Sequence, residues 1–337
     1  MSNRCLRIHG PGDLRAEEIA MPAVAEGEAG VRVRYVALCG SDLKLYAGTY
    51  KAPHTYPVVL GHEWVGEIER LTPAAAAAGW KMGETVTGDC SIFCGDCAGC
   101  AKDPNHCLTI EKRGITRDGG CAQHIALPCR HLHRCPGGAD SKPYTLTEPI
   151  SVAVQGILNR VPHERLGAAR NALIAGCGGI GISALLALLG FEIPSITIVD
   201  PVAAKTALVS SFRLGNVVTA AEWPAYGSFD LIVEASGSPE SLKRAMSLAA
   251  TRGTIVCLGH QGAVELNCGA LIQKSLTIVG SIGSSGGFDQ AIEIIQAHAD
   301  LVARMITRIV PLSQAEAFFR DELHCGVNVK VLINLDA

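Results

Sequence analysis

The apolar run Ala172-Leu-Ile-Ala175 passes directly into Gly176-Cys-Gly178-Gly179-Ile180-Gly181, and the chain then continues as an apolar, helix-like stretch to Phe191. A glycine pattern of this kind is weak when it stands alone, but set between strand and helix it constrains the fold strongly. Gly176 permits a tight turn, Gly178 lets the backbone approach an anionic ligand, and Gly181 lets the helix lie close on the strand. Gly179 and Ile180 open that helix, whose first N–H groups are unpaired and face the ligand. Alternation continues through Ser195–Val199, Leu208–Leu214, Leu231–Glu234, Ser241–Ala250 and Thr254–Leu258. This predicts a doubly wound parallel sheet of the Rossmann type.

A dinucleotide is the expected ligand of such a turn. Asp200 closes the next strand, 24 positions after Gly176. A carboxylate there accepts both ribose hydroxyls and repels a 2′-phosphate, with Lys205 the nearest cation, so NAD is expected over NADP. The alternative is that Asp200 caps the helix after Pro201. Ser236 and Gly237, at the end of Leu231–Ala235, and Ser281, after Val279-Gly280, are further expected walls of the cofactor site.

Four cysteines fall within fourteen residues, Cys94, Cys97, Cys100 and Cys107, separated by two x2 gaps and one x6 gap. Four thiolates so spaced can wrap one zinc tetrahedrally, and a closed cysteinyl site stabilises a loop without performing chemistry. Disulfides are disfavoured because the 14 cysteines are scattered, several of them in apolar strand-like runs. Cysteines without an export signal lead to the expectation of a reducing cytoplasm.

At 337 residues the chain exceeds one ordinary core, and two units are expected. Short alternating segments before residue 148, such as Gly30–Ala37 and Glu84–Thr87, read as a mostly β unit. Strand-like segments near the C-terminus, Thr307–Pro311 and Val329–Asn334, flank the helix-like Ser313–Arg320 and return to that unit. The expected division is 1–148, 149–290 and 291–337, with the metal loop spanning 90–107. A net charge of −3 with 18% charged residues lacks the basic field of a nucleic-acid binder, so a small-molecule partner is expected. The apolar run from Ala172 to Val199 is broken by Gly176, Gly190 and Pro194, so no membrane span is expected.

Cys39-Gly-Ser41-Asp42 and Gly61-His62-Glu63-Trp-Val-Gly66 carry zinc-competent side chains. Together with the four-cysteine loop, Thr147-Glu148-Pro149, the glycine motif and Lys330-Val-Leu-Ile, in that order, they resemble the zinc-dependent medium-chain dehydrogenases, within the polyol and threonine dehydrogenase branch. The resemblance spans nearly the whole chain. It implies a GroES-like catalytic domain interrupted by a Rossmann domain, with the active site in the cleft between them. It also implies that Cys39 and His62 bind a catalytic zinc, with Glu63 a direct or second-sphere ligand. Glu148 stands where the polyol branch has Glu and other alcohol dehydrogenases have Cys. Ser41 looks like the hydroxyl that passes the alcohol proton towards solvent, or else a turn-forming serine.

Two departures stand out. Relatives usually enclose seven residues between the third and fourth cysteines, whereas Cys100 and Cys107 enclose six, leaving Cys90 or His106 as alternative ligands. Lys44 replaces a frequent His, either to anchor a polar group or to point to solvent. Trp64 and Phe93 are candidate pocket walls.

The resemblance implies a zinc enzyme with about two zincs per chain, passing hydride from a secondary hydroxyl of a polyol, sugar or (amino)cyclitol to NAD and leaving a ketone. Relatives imply a homodimer or homotetramer. The alternatives are a threonine-type amino-acid alcohol dehydrogenase, against which Ser41 leans, and a catalytically silent NAD-binding scaffold.

Overall fold

The computed structural model describes residues 2–137, 140–219, 223, 228–259, 262–322 and 326–336. The chain divides into two compact units, Met1–Glu148 with Ala291–Ala337, and Pro149–Gln290.

The first unit is built on a seven-stranded sheet. Its order is Leu132–Arg134, Thr85–Gly88, Glu63–Leu71, Glu28–Ala37, Lys330–Asn334 and Ile306–Pro311, with His124–Pro128 also paired to Glu28–Ala37. A three-stranded sheet of Asp13–Ala20, Ser2–Gly10 and Val58–Val59 accompanies it. Alternation within Glu28–Ala37 buries Val31 and Val33 and turns Arg32 outward, where Arg32 and Arg34 pair with Asp336 at 2.7 and 2.5 Å. Trp64, Leu6, Ile8, Leu127 and Phe319 fill the core, and truncating a ring such as Phe319 to Ala costs about 3–5 kcal/mol. Strand Lys330–Asn334 lies antiparallel beside Glu28–Ala37, with Leu332 opposite Ala37. The last strand of the chain is thus central to a sheet that begins some 300 residues earlier.

The second unit is a six-stranded, fully parallel sheet. Its order is Asn216–Thr219, Ser195–Asp200, Asn171–Ala175, Phe229–Glu234, Ala249–Cys257 and Thr277–Gly280, the 3-2-1-4-5-6 arrangement of a Rossmann sheet. Helices Gly179–Leu188, Ala203–Ser210, Pro239–Leu248 and Cys268–Gln273 connect the strands. The central strands are apolar on both faces, as burial under crossover helices requires. Helix Gly179–Leu188 is itself buried on nearly every face from Gly181 onward. Ser238 accepts from Ser241 N at 3.4 Å, and Pro239 follows at the first helical position, so helix Pro239–Leu248 starts where a cap and a fixed φ coincide.

The Ala74–Ala78 run forms the short helix Pro73–Ala77, capped by Thr72. No helix among the described residues is long and apolar enough to cross a membrane.

Candidate active site

In the first unit, Cys39 is the N-cap of helix Gly40–Tyr46, and Asp42 holds it there by accepting from Cys39 N at 2.8 Å. Buried Asp42 also accepts from Gly61 N at 3.4 Å, fixing the turn that precedes His62 and Glu63. Glu63 opens its strand fully buried. The result is a cluster of Cys39, His62 and Glu63 whose potential ligand atoms lie within 4.8 Å of one another. A second set, His62, Cys90 and Glu148, meets the same limit and shares His62. Glu148 is buried in the first turn of helix Thr147–Ala153.

Lys330, 95% buried, places Nζ 2.5 Å from both Glu63 oxygens. Burial alone would lower the Lys330 pKa, but Glu63, Cys39 and Glu148 outweigh it and hold the ammonium above its ordinary value. Burial pushes the half-buried Cys39 thiol up, while His62 and Lys330 more than offset it, bringing it to about 7. Burial leaves the Cys90 thiol pushed up to about 12. The His62 ring is held well above its ordinary pKa because Cys90, Cys39 and Asp42 overcome the opposing effect of burial. His62 Nδ1 is buried without a hydrogen-bond partner. A buried ring nitrogen with no hydrogen-bond partner, set among thiols and carboxyls, is a donor set suited to zinc.

Other expected residues fall as follows. Ser41 sits one residue into the helix after Cys39 with its Oγ buried and unpartnered. Lys44 is exposed on the last turn of that helix. Trp64 lies in the apolar core, and Phe93 packs edge-on to His131 at 4.7 Å.

The four-cysteine loop forms a separate knot. Its Sγ separations are 3.8 Å for Cys94–Cys100, 4.0 Å for Cys97–Cys107 and 3.6 Å for Cys94–Cys107. Thiolates about 2.3 Å from zinc at tetrahedral corners stand about 3.8 Å apart, so the six-residue gap closes the site without help. Cys94 N, Gly95 N, Cys100 N and Leu108 N each donate to a cysteine sulfur at 3.4 Å. A Cβ on Gly99 would lie 2.0 Å from His106 O, so only glycine allows the loop to fold back so tightly. The alternative ligands go elsewhere: His106 is exposed, and Cys90 belongs beside His62 and Glu148.

In the second unit, Gly176 adopts φ +111°, and a Cβ on Gly181 would lie 1.8 Å from Gly176 O. The turn therefore needs both glycines. A cavity of about 280 Å³ opens beside it, lined by Gly176, Asp200, Ser236, Ser238, Trp223 and Arg244 among others. Asp200 accepts from Cys177 N at 2.7 Å and from Val202 N at 2.8 Å, so it braces the glycine turn as well as facing the cavity. Ser236 N and Gly237 N donate to the buried Glu234 carboxylate at 3.0 and 3.2 Å, which shapes the opposite wall. Gly178 caps the helix with Gly179 and Ile180 at its half-buried start. Lys205 is half-buried on helix Ala203–Ser210 and Ser281 has a buried, unpartnered Oγ; neither lines this cavity. Trp223 and Arg244 were not foreseen. The guanidinium lies 5.2 Å from the indole centroid and donates to Trp223 O at 3.1 Å, a pairing across 21 positions that no local pattern announces.

Residues 25–137 match the alcohol dehydrogenase GroES-like domain, and residues 143–335, more than half of the chain, match the glucose dehydrogenase C-terminus. The chain belongs to the zinc-dependent medium-chain dehydrogenase superfamily. Members of this alcohol dehydrogenase-like superfamily are oxidoreductases acting on CH–OH groups, and so is this chain. It is 28% identical over 323 residues to D-altritol 5-dehydrogenase of Agrobacterium fabrum, covering 93% of this chain and 94% of that one. Among solved structures, a Sinorhizobium meliloti zinc-binding dehydrogenase bound to NADP superposes with TM-score 0.89 at 25% identity, covering 99% and 100% of the two chains. An Escherichia coli structure described as a short chain alcohol dehydrogenase, complexed with NADH, gives TM-score 0.87 at 25% identity with the same coverage. These two structural neighbours thus hold a phosphorylated and an unphosphorylated cofactor, respectively.

Proposed function

We propose that this dehydrogenase oxidises a secondary hydroxyl of a polyol, sugar or (amino)cyclitol to the ketone, using NAD and a catalytic zinc. The observation that carries the reading is the buried cluster around His62, in which two thiols, two carboxyls and an imidazole converge. Cys39, His62 and Glu148 would hold the catalytic zinc, and Cys94, Cys97, Cys100 and Cys107 a structural one, two per chain. When bound, zinc supplies a Lewis acid that makes a coordinated hydroxyl acidic, and NAD supplies the hydride acceptor. Lys330 grips both Glu63 oxygens, which keeps that carboxylate in the second sphere and lends the site a compensating positive charge. Ser41 offers a buried hydroxyl two residues from Cys39 to receive the alcohol proton.

The remaining lone pairs of Asp200 would accept the ribose hydroxyls while its charge repels a 2′-phosphate. Gly176, Gly178, Gly179, Ile180 and Gly181 would cradle the pyrophosphate, with Ser236, Gly237, Ser281 and Lys205 in supporting positions. The similarity to D-altritol 5-dehydrogenase supports a polyol substrate. Strand Thr277–Gly280 ends the parallel sheet and offers an edge for a homodimer or homotetramer, checked by light scattering.

The test is NADH formation from a panel of polyols, cyclitols, amino sugars and threonine. Turnover with a polyol or cyclitol supports the proposal, whereas turnover with threonine alone overturns it. Asp200→Ser should weaken NADH binding about 10- to 100-fold, the loss of one or two charge-assisted hydrogen bonds, and narrow the preference over NADPH. Unchanged preference would remove Asp200 from the cofactor assignment.

A further inference from the structure

Cys90 supplies the second thiol of the His62 cluster and has been given no role there. It follows strand Thr85–Gly88, and its backbone is pinned on both sides: Asp89 N donates to His131 O at 2.9 Å and Arg113 N donates to Cys90 O at 2.9 Å. The side chain is therefore delivered to one place, 93% buried, with its sulfur within 4.8 Å of ligand atoms of both His62 and Glu148. A small apolar residue would fill that volume equally well if packing were its only task.

Three further observations bear on what the sulfur does there. His62, the member common to both sets, has Nδ1 buried without a partner, and the ring is 96% buried. Glu63 has both oxygens on Lys330, so the remaining donors of the two sets are Cys39, His62, Cys90 and Glu148. No disulfide joins Cys39 and Cys90, both of which are free thiols. Zinc prefers sulfur and nitrogen donors, and a thiol near a divalent ion is deprotonated by it.

Resting on the catalytic-metal reading proposed above, we infer that Cys90 is a direct ligand of that metal, acting with His62 and Glu148, so that the site carries two thiolates rather than one. A second thiolate cancels one more unit of the ion's charge, which tempers its pull on a bound hydroxyl. Glu148, the exchangeable oxygen donor of the set, is then the ligand best suited to give way to a substrate oxygen.

The experiment is absorption spectroscopy of the full-length protein reconstituted with cobalt(II), comparing wild type, Cys39→Ala, Cys90→Ala and Cys90→Ser. Thiolate-to-cobalt charge transfer reports sulfur ligands directly, and the four-cysteine loop contributes equally to every sample, so it cancels in the differences. Cys90→Ala and Cys90→Ser should each lose as much charge-transfer absorbance as Cys39→Ala. Metal affinity of the site, from chelator competition, should fall about 10- to 100-fold or more. If Cys39→Ala lowers the absorbance and both Cys90 variants leave it unchanged, Cys90 is a pocket wall and the inference fails while the metal site stands. If Cys39→Ala also leaves it unchanged, the catalytic-metal reading itself fails. Retained NADH binding, followed by fluorescence, verifies folding in each variant.

Discussion

The two cysteine-bearing sites of the first unit differ in how their ligands are gathered. The loop site takes four donors of one kind from fourteen consecutive residues, three of them half-buried and Cys107 buried, with backbone N–H groups pointed at the sulfurs. The site around His62 takes mixed donors from residues 39, 62, 63, 90 and 148, mostly buried, and adds a cation from residue 330. A contiguous loop can be closed by a metal and local turns alone. A dispersed site is assembled by the fold, which here leaves the buried His62 Nδ1 without a hydrogen-bond partner. Closure and reactivity thus follow from where the donors come from as much as from what they are.

The largest expected break of that contrast is Cys39→Ala. Losing this proposed ligand of the dispersed site should lower turnover by about 10³-fold or more, the equivalent of roughly 4 kcal/mol of barrier, with NADH binding retained. Full turnover by a folded Cys39→Ala protein would sink the zinc mechanism. Next is Lys330→Met, which leaves the Glu63 carboxylate buried beside no cation. Denaturant unfolding should show a loss of about 3–5 kcal/mol, partly recovered in the Lys330→Met, Glu63→Gln double variant.

Cys100→Ala acts on the other site. Mass spectrometry should count one zinc fewer per chain, and the melting temperature should drop by several degrees while the cobalt spectrum of the His62 site persists. Loss of both metals together would show that the two sites are not independent.

The smallest effect concerns Asp89, next to Cys90. Burial pushes its carboxyl up, but His131 at 3.3 Å and His133 at 3.6 Å more than offset this and hold it below its ordinary 3.8. A carboxyl whose folded pKa is depressed stabilises the fold above its unfolded pKa, and that contribution is lost as pH falls through the lower folded value. Stability should therefore decline as pH drops below about 4, and Asp89→Asn should flatten that limb of the profile. An unaltered acid limb would show that Asp89 is not the group responsible.

Legibility in the sequence follows the same division. The glycine turn, its flanking strand and helix, Asp200 and the four cysteines were readable because each is specified by neighbours a few positions away. The parallel order of the second unit followed from strand and helix alternation. Lys330 was visible as part of a terminal motif, but nothing local tied it to Glu63, 267 positions away. Cys90 looked like a spare ligand for the loop because it lies only four residues before Cys94, yet the strand and the Arg113 hydrogen bond turn it towards His62. Trp223 and Arg244 were missed for the same reason: their pairing is a product of the finished sheet.

The Glu63–Lys330 contact also has a temporal side. Residue 63 emerges from the ribosome long before residue 330, and at about 10 residues per second the interval is roughly half a minute. Throughout that time the whole parallel-sheet unit is synthesised while the carboxylate has no ammonium to meet. The cluster around His62 and Glu63 is therefore completed last, and a chain cut short before its final strand would carry the Glu63 carboxylate without its ammonium, which favours unfolding.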